Sequence, residues 1–435
     1  MAAPRAIGIG LLGLGVVGSG VARILTERAD TYAARVGRAL EIRRVLVRDP
    51  RKPRPVELPP GMLGTDPEAV LGDPAIALVI EVMGGEQPAY EYLCRALERG
   101  KYVVTANKEV MAKHGPELYE LAARRGVDIL FEASVGGGIP LIAPLQRDLL
   151  ANEITSMRAI INGTTNYILT RMARDGTDYR AALRQAQQLG YAEPDPTNDV
   201  EGMDAAYKLA VLASLGFRMT VRPGDVYREG ITRLHPREFR YAAELGYALK
   251  LLAIATRDDH RVLARVHPAL IPAEEPLAKV DGVNNAVEVV GDLLGRAMFQ
   301  GQGAGSMPTT SAVVADVIDA AFRIAHGGEG RPAWRADPDA QVCPMSELQT
   351  RYYLRLTVPD RAGVLARVTR VLGEQYQISI ASIIQKEADE TARTAEIVIM
   401  THLASEGAAQ AAVKSLEKLD VVRAVGALIR VEGQA

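Results

Sequence analysis

The stretch Ala6-Ile-Gly-Ile-Gly-Leu-Leu-Gly-Leu-Gly-Val-Val-Gly18 decides the fold of the first part of the chain. Residues 6–12 form a continuous apolar run that is typical of a buried parallel strand, and the sequence predicts a helix from Ser19 to about Val36. Between them, Gly13 and Gly15 let the backbone turn and approach a pyrophosphate, while Gly18 lets helix and strand pack closely. A glycine-rich turn of another α/β domain is the alternative, but this strand–turn–helix context favours dinucleotide binding.

The next predicted strand, Glu41–Val47, indicates which dinucleotide is preferred. The position after this strand reads the adenosine ribose, where an acid binds a free 2′-hydroxyl and an arginine accommodates a 2′-phosphate. The segment Arg48-Asp-Pro-Arg-Lys-Pro-Arg54 places one acid, Asp49, among four basic side chains. The sequence therefore favours NADP(H), with NAD(H) as the alternative and a plain solvated basic loop as the other interpretation.

Three further apolar segments continue the pattern of buried strands, at Ala75–Val82, Tyr102–Thr105 and Ile129–Glu132. Ligands of open parallel sheets bind outside the carboxyl ends of the strands, so we expect Lys108 at the site rather than as an ordinary exposed lysine. Three glycines in Ala133–Pro140 leave backbone carbonyls exposed, and such groups can coordinate a hard cation or hold the polar end of a substrate.

The βα alternation stops near Leu141, and mixed elements are predicted beyond it. They are a strand at Glu153–Ile161, a helix-opening turn at Asn162–Asn166 whose amides could bind a carboxylate, a helix at Phe239–Thr256, strands at Val262–His267 and Asn285–Val290, and a helix at Thr309–Ala325.

The most acidic stretch of this region is Gly190–Lys208, which carries five carboxylates and ends on one lysine. Asp204 and Lys208 are four residues apart, so on a helix they share one face, with the acid toward the N-terminus. Glu193 and Asp199 could together hold the ammonium of an amino acid. A surface loop followed by an ordinary intrahelical salt bridge is the competing interpretation, since exposed pairs of this kind are common and weak.

The chain has 435 residues, of which 48% are hydrophobic and 24% charged, with a formal net charge of −2. The length suits roughly two to four domains, and the charge gives no reason to expect nucleic acid or an anionic membrane as a partner. Two cysteines without CxxC spacing exclude a disulfide scaffold and a thiolate metal site. Because the N-terminus lacks a signal-peptide pattern, the sequence predicts a cytoplasmic protein.

The C-terminal tail differs from the preceding chain in its predicted order of strands and helices. After a polar, proline-containing linker, half-buried strands and helices alternate in the order βαββαβ over about 349–435. This order is typical of a small ferredoxin-like module.

Together these segments resemble homoserine dehydrogenase, a family that uses NAD(P)(H) for the reversible reduction of L-aspartate 4-semialdehyde to L-homoserine in threonine, methionine and isoleucine biosynthesis. The segments that carry the resemblance are Gly13–Gly18, Val103–Glu109, Phe131–Pro140, Ile161–Leu169, Gly190–Lys208 and Gly301–Asp316, and the tail is similar to an ACT domain. The resemblance implies an α/β fold with a Rossmann-type domain at 1–140 completed by a helix at 305–326, an α+β catalytic and dimerisation domain at 141–304, a linker at 327–348 and an ACT regulatory domain at 349–435.

The resemblance also implies residue roles. Lys208 would protonate the nascent alkoxide, and Lys108 would lie close to the nicotinamide and the reacting carbon. The substrate would be held by Glu193, Asp204, Asp199, Gly163 and Thr164. The cofactor would be held by Gly13, Leu14, Gly15, Val16, Val17, Gly18, Arg48, Thr105, Lys108 and Gly303. A monovalent cation, Na⁺ or K⁺, would be bound by Glu132, Val135, Gly137 and Ile139.

The ACT-like tail would bind a threonine effector near Asp360, Ala362 and Gly363, with plain dimerisation as its alternative role. A homodimer or homotetramer is expected. Two other functions stay open at this point: a dinucleotide-dependent dehydrogenase for another amino acid or a sugar, and a non-catalytic amino-acid sensor. Since 435 residues leave no room for a fused aspartate kinase, we expect a monofunctional enzyme.

Overall fold

The computed structural model describes residues 6–327, 336–389 and 392–433. The chain divides into two compact units. Unit 1 contains Met1–Met157, Tyr207–Val226 and Asn284–Ala340, and unit 2 contains Arg158–Ala206, Tyr227–Val283 and Gln341–Ala435. Among the described residues, no helix is both long enough and apolar enough to cross a membrane.

The strands are, in chain order, β1 (Ile7–Leu12), β2 (Leu40–Leu46), β3 (Leu63–Gly64), β4 (Ile76–Glu81), β5 (Tyr102–Thr105), β6 (Ile129–Leu130), β7 (Ile154–Ile160), β8 (Tyr227–Arg228), β9 (Tyr247–Asp258), β10 (Arg261–Pro272), β11 (Asn284–Gly291), β12 (Gly295–Gln302), β13 (Gln341–Val342), β14 (Gln349–Pro359), β15 (Ile380–Asp389), β16 (Thr394–Thr401), β17 (Ala404–Ser405) and β18 (Ala424–Val431). The helices are α1 (Val16–Glu27), α2 (Ala29–Val36), α3 (Glu68–Leu71), α4 (Ala89–Glu98), α5 (Lys108–Arg125), α6 (Ile142–Gln146), α7 (Gly163–Asp175), α8 (Tyr179–Gln188), α9 (Thr197–Val200), α10 (Met203–Phe217), α11 (Pro236–Glu244), α12 (Ser306–His326), α13 (Val364–Arg370) and α14 (Glu406–Leu416).

Unit 1 is built on a parallel sheet with the order β3-β2-β1-β4-β5-β6. This is the Rossmann arrangement, in which the strand order reverses between β1 and β4 and a ligand binds at that point, so the predicted dinucleotide fold is confirmed. Every residue of β1 is buried. Helix α12 contributes Ala321 to a cluster with Ile7 and Val36 and so packs with the start of the chain.

The single helix predicted from Ser19 to Val36 is wrong in detail. The backbone leaves the helical conformation at Arg28, with φ −113° and ψ 22°, and α2 begins as a separate helix. The new direction buries Tyr32 and Val36, one turn apart on the same face of α2.

The helix predicted over Phe239–Thr256 is also wrong. Helix α11 ends at Glu244, Gly246 takes a left-handed φ of +81°, and the chain continues as strand β9. Residues 249–255 are all buried and, apart from Lys250, apolar. A segment that is buried on both faces carries no period that distinguishes a strand from a helix. Strand β9 forms an antiparallel hairpin with β10.

The C-terminal module has the predicted βαββαβ order, β14-α13-β15-β16-α14-β18, with sheet order β18-β14-β16-β15. Its core is a single cluster of side chains from these elements, including Leu356, Val368 and Leu416. Within unit 2, β18 also pairs with β10 in parallel through Ala269 and Leu270. The module is therefore joined to the β9–β10 hairpin by a shared sheet. Residues 328–335 of the predicted linker lie outside the described residues, and the predicted domain bounds stay predictions.

Candidate active site

The glycine turn after β1 has the geometry that a bound pyrophosphate requires. Gly13 has a left-handed φ of +101°, and a Cβ there would lie 2.9 Å from the carbonyl oxygen of Val82. A Cβ on Gly18 would overlap the carbonyl oxygen of Gly13, whereas Gly15 has no neighbouring atom within 4 Å of its Cβ position. Helix α1 begins at Val16, directly after this open position, so its free N–H groups can bind an anion. The segment Gly13–Gly18, including Leu14 and Val17, therefore fits a dinucleotide.

A buried carboxylate, Glu81, organises the neighbouring strand ends. It is fully buried at the end of β4 and accepts hydrogen bonds from the Thr105 hydroxyl at 2.6 Å and the Met83 amide at 2.7 Å. Burial raises the pKa of Glu81, and these hydrogen bonds oppose that shift. The Thr105 hydroxyl, a predicted cofactor contact, in turn accepts from the Asn107 amide at 3.0 Å. Glu81 thus holds the ends of β4 and β5 in one arrangement.

Lys108 is the first residue of α5 and is half-buried. The preceding Asn107 caps this helix by accepting from the Val110 amide, and its side-chain amide donates to the carbonyl of Gly85 at 2.7 Å. Because Asn107 bonds both α5 and the loop after β4, it fixes the position from which Lys108 projects.

The glycine loop after β6 lies against Gly303 inside unit 1. A Cβ on Gly137 would come within 2.6 Å of the Gly303 carbonyl, and the Gly138 amide donates to the carbonyl of Gln302 at 3.3 Å. The carboxylate of Glu132 accepts from the amides of Ile142 at 2.8 Å and Ala143 at 2.7 Å. The structure thus brings the predicted cation segment next to the predicted cofactor residue Gly303, and it uses the Glu132 side chain to cap α6.

In unit 2, Asn162 holds two of the predicted substrate-binding acids together. Its side-chain amide donates to Asp199 at 2.7 Å and to Asp204 at 2.9 Å. Its side-chain oxygen accepts from the Thr165 amide and so caps α7. Asn162 and Asp204 are buried, whereas Asp199 is half-buried. Two carboxylates held at one place can accept charge-assisted hydrogen bonds from a cation such as an ammonium group.

The other predicted substrate residues and Lys208 differ in how far they are exposed. The Thr164 hydroxyl donates to the carbonyl of Tyr191 at 2.6 Å, which ties α7 to the start of the acidic stretch. Gly163 is the first residue of α7. Glu193 is exposed, and its backbone carbonyl accepts from Gln187 at 3.2 Å. Lys208 is half-buried on α10, four residues after Asp204.

Two surface segments were predicted to bind other ligands. Arg48 is exposed after β2. The predicted effector turn, with Asp360, Ala362 and Gly363, is exposed between β14 and α13, and the Asp360 amide donates to the carbonyl of Arg393 at 3.0 Å.

Sequence reasoning missed the organising roles of Glu81, Asn107 and Asn162. A signal existed for Glu81, since a lone acid at the end of an apolar strand needs partners when it is buried. Asn107 and Asn162 each stand directly before a helix, which is a preferred capping position. Their second hydrogen bonds depend on tertiary structure and have no local sequence signal.

Comparison with known proteins agrees with this architecture. A family model described as "Homoserine dehydrogenase" matches residues 140–318. A second model, described as "Homoserine dehydrogenase, NAD binding domain", matches residues 13–132, and a model of the ACT domain matches residues 352–421. A homoserine dehydrogenase of Synechocystis sp. is 46% identical over 97% of this chain and 99% of its own, and that of Bacillus subtilis is 42% identical over 99% of both.

Solved structures agree as well. A homoserine dehydrogenase from Thiobacillus denitrificans superimposes with a TM-score of 0.91 at 42% identity, with 98% of each chain covered. A hyperthermophilic archaeal homoserine dehydrogenase in complex with NADPH has a TM-score of 0.61 at 26% identity, covering 73% of this chain and 98% of its own. The chain therefore belongs to the homoserine dehydrogenase family, the NAD(P)-dependent oxidoreductases that interconvert L-aspartate 4-semialdehyde and L-homoserine, and it ends in an ACT domain.

Proposed function

We propose that Asp199 and Asp204 bind the α-ammonium group of homoserine and of aspartate 4-semialdehyde. The observation that carries this proposal is the double hydrogen bond from Asn162, which holds both carboxylates as acceptors at one place. Glu193 adds a third, exposed carboxylate that assists binding. The first amides of α7, at Gly163 and Thr164, bind the substrate carboxylate, since a helix N-terminus attracts anions.

Lys208 is the general acid of the proposed mechanism. The bound dinucleotide supplies the hydride that reduces the aldehyde carbon. As the carbonyl oxygen becomes an alkoxide, the Lys208 ammonium stabilises the charge and gives up a proton to that oxygen. Lys108 adds a second positive charge near the reacting carbon, held in place by the Asn107 cap. In the reverse direction, neutral Lys208 accepts the hydroxyl proton of homoserine.

NADP(H) is the preferred cofactor in this proposal, with NAD(H) as the second choice. The competing acid, Asp49, is engaged within its own loop, because its carboxylate accepts from the Arg51 amide at 2.9 Å. Arg48 remains exposed beside it and suits a 2′-phosphate. The NADPH complex of the archaeal relative supports the same preference.

The cation site of the proposal uses the backbone oxygens of Glu132, Val135, Gly137 and Ile139. Among the described residues, no backbone amide outside helices and strands donates to the oxygens of Val135, Gly137 or Ile139. Carbonyl oxygens are suitable ligands for Na⁺ or K⁺, which are hard cations.

The ACT domain is proposed to bind threonine at the turn Asp360–Gly363, where Gly363 has a left-handed φ of +86° at the start of α13. The assembly is proposed to be a homodimer or homotetramer that uses this domain. The cytoplasmic location stays a prediction and is supported by the free thiols of Cys94 and Cys343.

Asn162→Ala tests the ammonium assignment. The variant loses the hydrogen bonds by which one side chain holds the two carboxylates together, so we expect the KM for homoserine to rise roughly tenfold, the effect of a lost charge-assisted hydrogen bond. Initial rates of homoserine oxidation measured with NADP and with NAD, each with and without threonine, also report cofactor preference and regulation. Asn198→Ala is the matched control, because this neighbouring asparagine is exposed. An Asn162→Ala enzyme with unchanged KM would contradict the assignment.

A further inference from the structure

A buried ion cluster joins the C-terminal module to the rest of unit 2. Its centre is Arg430 on β18, which is 1% exposed. Arg430 donates two hydrogen bonds to the Glu406 carboxylate, one of them at 2.8 Å. It donates a third, at 2.7 Å, to Glu229, and a fourth, at 3.2 Å, to the hydroxyl of Tyr227. A buried guanidinium that lost one of these partners would be left partly uncompensated, so the cluster holds Glu229 in one position.

Glu229 belongs to the coupling segment, which we define as residues 227–232. This segment is anchored on the catalytic sheet, because β8 pairs with β10 and the Glu229 amide donates to the carbonyl of Val266 at 2.8 Å. The side chain of Glu229 points to the C-terminal module, as its bond to Arg430 shows. Its position is therefore set from two sides.

The other end of the coupling segment packs on the acidic stretch. The Ile231 amide donates to the carbonyl of Val200 at 2.9 Å, and the Thr232 hydroxyl donates to Glu201 at 3.1 Å. At Gly230 the two backbones are so close that a Cβ would overlap the Val200 carbonyl oxygen. Any shift of the coupling segment is thus passed directly to Val200 and Glu201.

Val200 is the immediate neighbour of Asp199, and Asp204 follows four residues after Val200, as the second residue of α10. Both carboxylates are held by Asn162 at 2.7 and 2.9 Å. A displacement of the backbone at Val200 would lengthen these bonds and separate the two acids. The contacts from Arg430 to Glu229, from the coupling segment to Val200, and from Asn162 to Asp199 therefore form one continuous series.

We propose that Glu229 is a positioning residue through which the C-terminal module sets the affinity of the enzyme for its amino-acid substrate. The module holds Glu229 through Arg430, Glu229 holds the coupling segment, and the coupling segment holds Asp199 and Asp204. This inference rests on the proposed role of these two acids in binding the substrate ammonium. The module thereby acts on substrate binding, and the hydride-transfer step and the dinucleotide site are untouched by it.

The test is Glu229→Gln in the full-length enzyme. The glutamine keeps the size of the side chain but removes the charge that faces Arg430. Because the Glu229 side chain is 40% exposed and Arg430 keeps Glu406, the protein should still fold. We expect the KM for homoserine to rise roughly threefold to tenfold, the range of mutations along a coupling path. The kcat and the KM for NADP should stay within about twofold of wild type, since no interaction specific to the transition state is lost.

Tyr227→Phe perturbs the same cluster from a second point and should raise the KM for homoserine less than Glu229→Gln does. Arg237→Gln is the matched control. Arg237 also links the substrate-binding part of unit 2 to the module, by an ion pair with Glu396 at 2.7 Å, but it does so from α11 and not through the coupling segment. Its side chain is 55% exposed, and Glu396 keeps Arg355. We expect a wild-type KM for this variant. Circular dichroism and the thermal transition verify that all three variants are folded.

The outcomes separate this inference from the function on which it rests. If Asp199→Asn leaves the KM for homoserine unchanged, the ammonium assignment fails, and the inference fails with it. If Asp199→Asn raises the KM while folded Glu229→Gln and Tyr227→Phe retain the wild-type value, only the coupling is overturned. An equal rise of KM in Arg237→Gln would also overturn it, because the effect would then come from any loosening of the module.

Discussion

Individual side chains have two kinds of role in this enzyme. Some are proposed to contact the substrate, and others hold the substrate-contacting side chains in place. Asn162 bonds two acids, Glu81 bonds the ends of two strands, and Asn107 caps the helix that presents Lys108. All three are buried and hydrogen-bonded, so their positions are fixed by the fold before a substrate arrives. Such preorganisation is what a site for charged groups requires.

Lys208→Ala tests the proton donor. Loss of a general acid typically lowers turnover by roughly 10²–10⁴-fold, and we expect kcat for aspartate-semialdehyde reduction to fall by that amount while NADPH binding is unchanged. Lys208→Arg distinguishes a role of the positive charge from a role in proton transfer, because arginine keeps the charge but stays protonated and cannot give up a proton. If Lys208→Arg recovered wild-type turnover, the lysine would act only as a positive charge. Steady-state kinetics and fluorescence titration with NADPH are the measurements.

Arg48→Ala tests cofactor choice. If Arg48 binds the 2′-phosphate, its removal should raise the KM for NADP roughly tenfold or more, the value of hydrogen bonds to a charged group, and leave the KM for NAD nearly unchanged. Asp49→Ala is the control from the same loop, since Asp49 is engaged with the Arg51 amide. If Arg48→Ala raised the KM for NADP and the KM for NAD equally, Arg48 would not be the residue that binds the 2′-phosphate.

Helices and strands differ in how far the sequence predicts them. The βα half of unit 1 was predictable because each buried parallel strand is a short apolar run that ends in glycine or a polar residue. The same rule failed at β9, where Leu249–Ala255, apolar except for Lys250, follows closely on the pattern of α11. It also failed at β12, whose mostly exposed residues give no hydrophobic signal. In both places the strand is defined by its pairing with the adjacent strand of a hairpin, β10 for β9 and β11 for β12.

The candidate site likewise has parts that the sequence predicts and parts that it does not. The glycine turn and the acidic stretch were predictable because local spacing determines them. The pairing of Asp199 with Asp204 depends instead on Asn162, which is 37 residues from one and 42 from the other. Sequence spacing carries no information on such a contact.

The junction of β12 and α12 gives a test at the level of elements. Gly303 lies where a Cβ would overlap the side chain of Asn285, which is 1% exposed and cannot move into solvent. Gly303→Ala should therefore displace the loop that packs on Gly137 and cost about 1–3 kcal/mol, as overpacking does. We expect weaker NADPH binding in a fluorescence titration, together with a lower thermal transition. Gly224→Ala is the control, because Gly224 has open space around its Cβ position. Equal effects of the two variants would show that the overlap with Asn285 is not the cause.

In unit 2, buried ion pairs join the ACT domain to the β9–β10 hairpin and to α11. Arg265 on β10 pairs with Glu432 at 2.8 Å, and Arg355 on β14 bonds Glu238 on α11. Together with the pairing of β10 with β18, these contacts connect the ACT domain to the region of unit 2 that contains β9, β10 and α11. A buried pair is costly to break from one side, so the ACT domain cannot shift without affecting that region.

His267 in this region predicts how stability depends on pH. It is fully buried on β10 beside Arg265 and Arg430, its Nδ1 contacts the Pro268 carbonyl at 2.9 Å, and its Nε2 lies 3.9 Å from Glu432. Burial first, and then the two guanidiniums, hold the pKa of His267 well below its ordinary value of 6.5. The folded protein therefore keeps His267 neutral in weak acid, whereas the unfolded chain takes up a proton below pH 6.5. This difference lowers the free energy of unfolding as the pH falls from 6.5, by about 1.4 kcal/mol per pH unit for one group.

His267→Asn keeps a side-chain donor for the Pro268 carbonyl but has no group that titrates. Well above pH 6.5, where His267 is neutral in the unfolded chain as well, the difference in unfolding free energy between wild type and variant should be constant. Below pH 6.5 the wild type should lose stability faster, by a slope that approaches about 1.4 kcal/mol per pH unit, because only its unfolded state gains the extra proton. Denaturant titrations at several pH values measure both slopes. Parallel slopes over this range would mean that His267 is protonated within the fold, and Glu432 would then have to neutralise it.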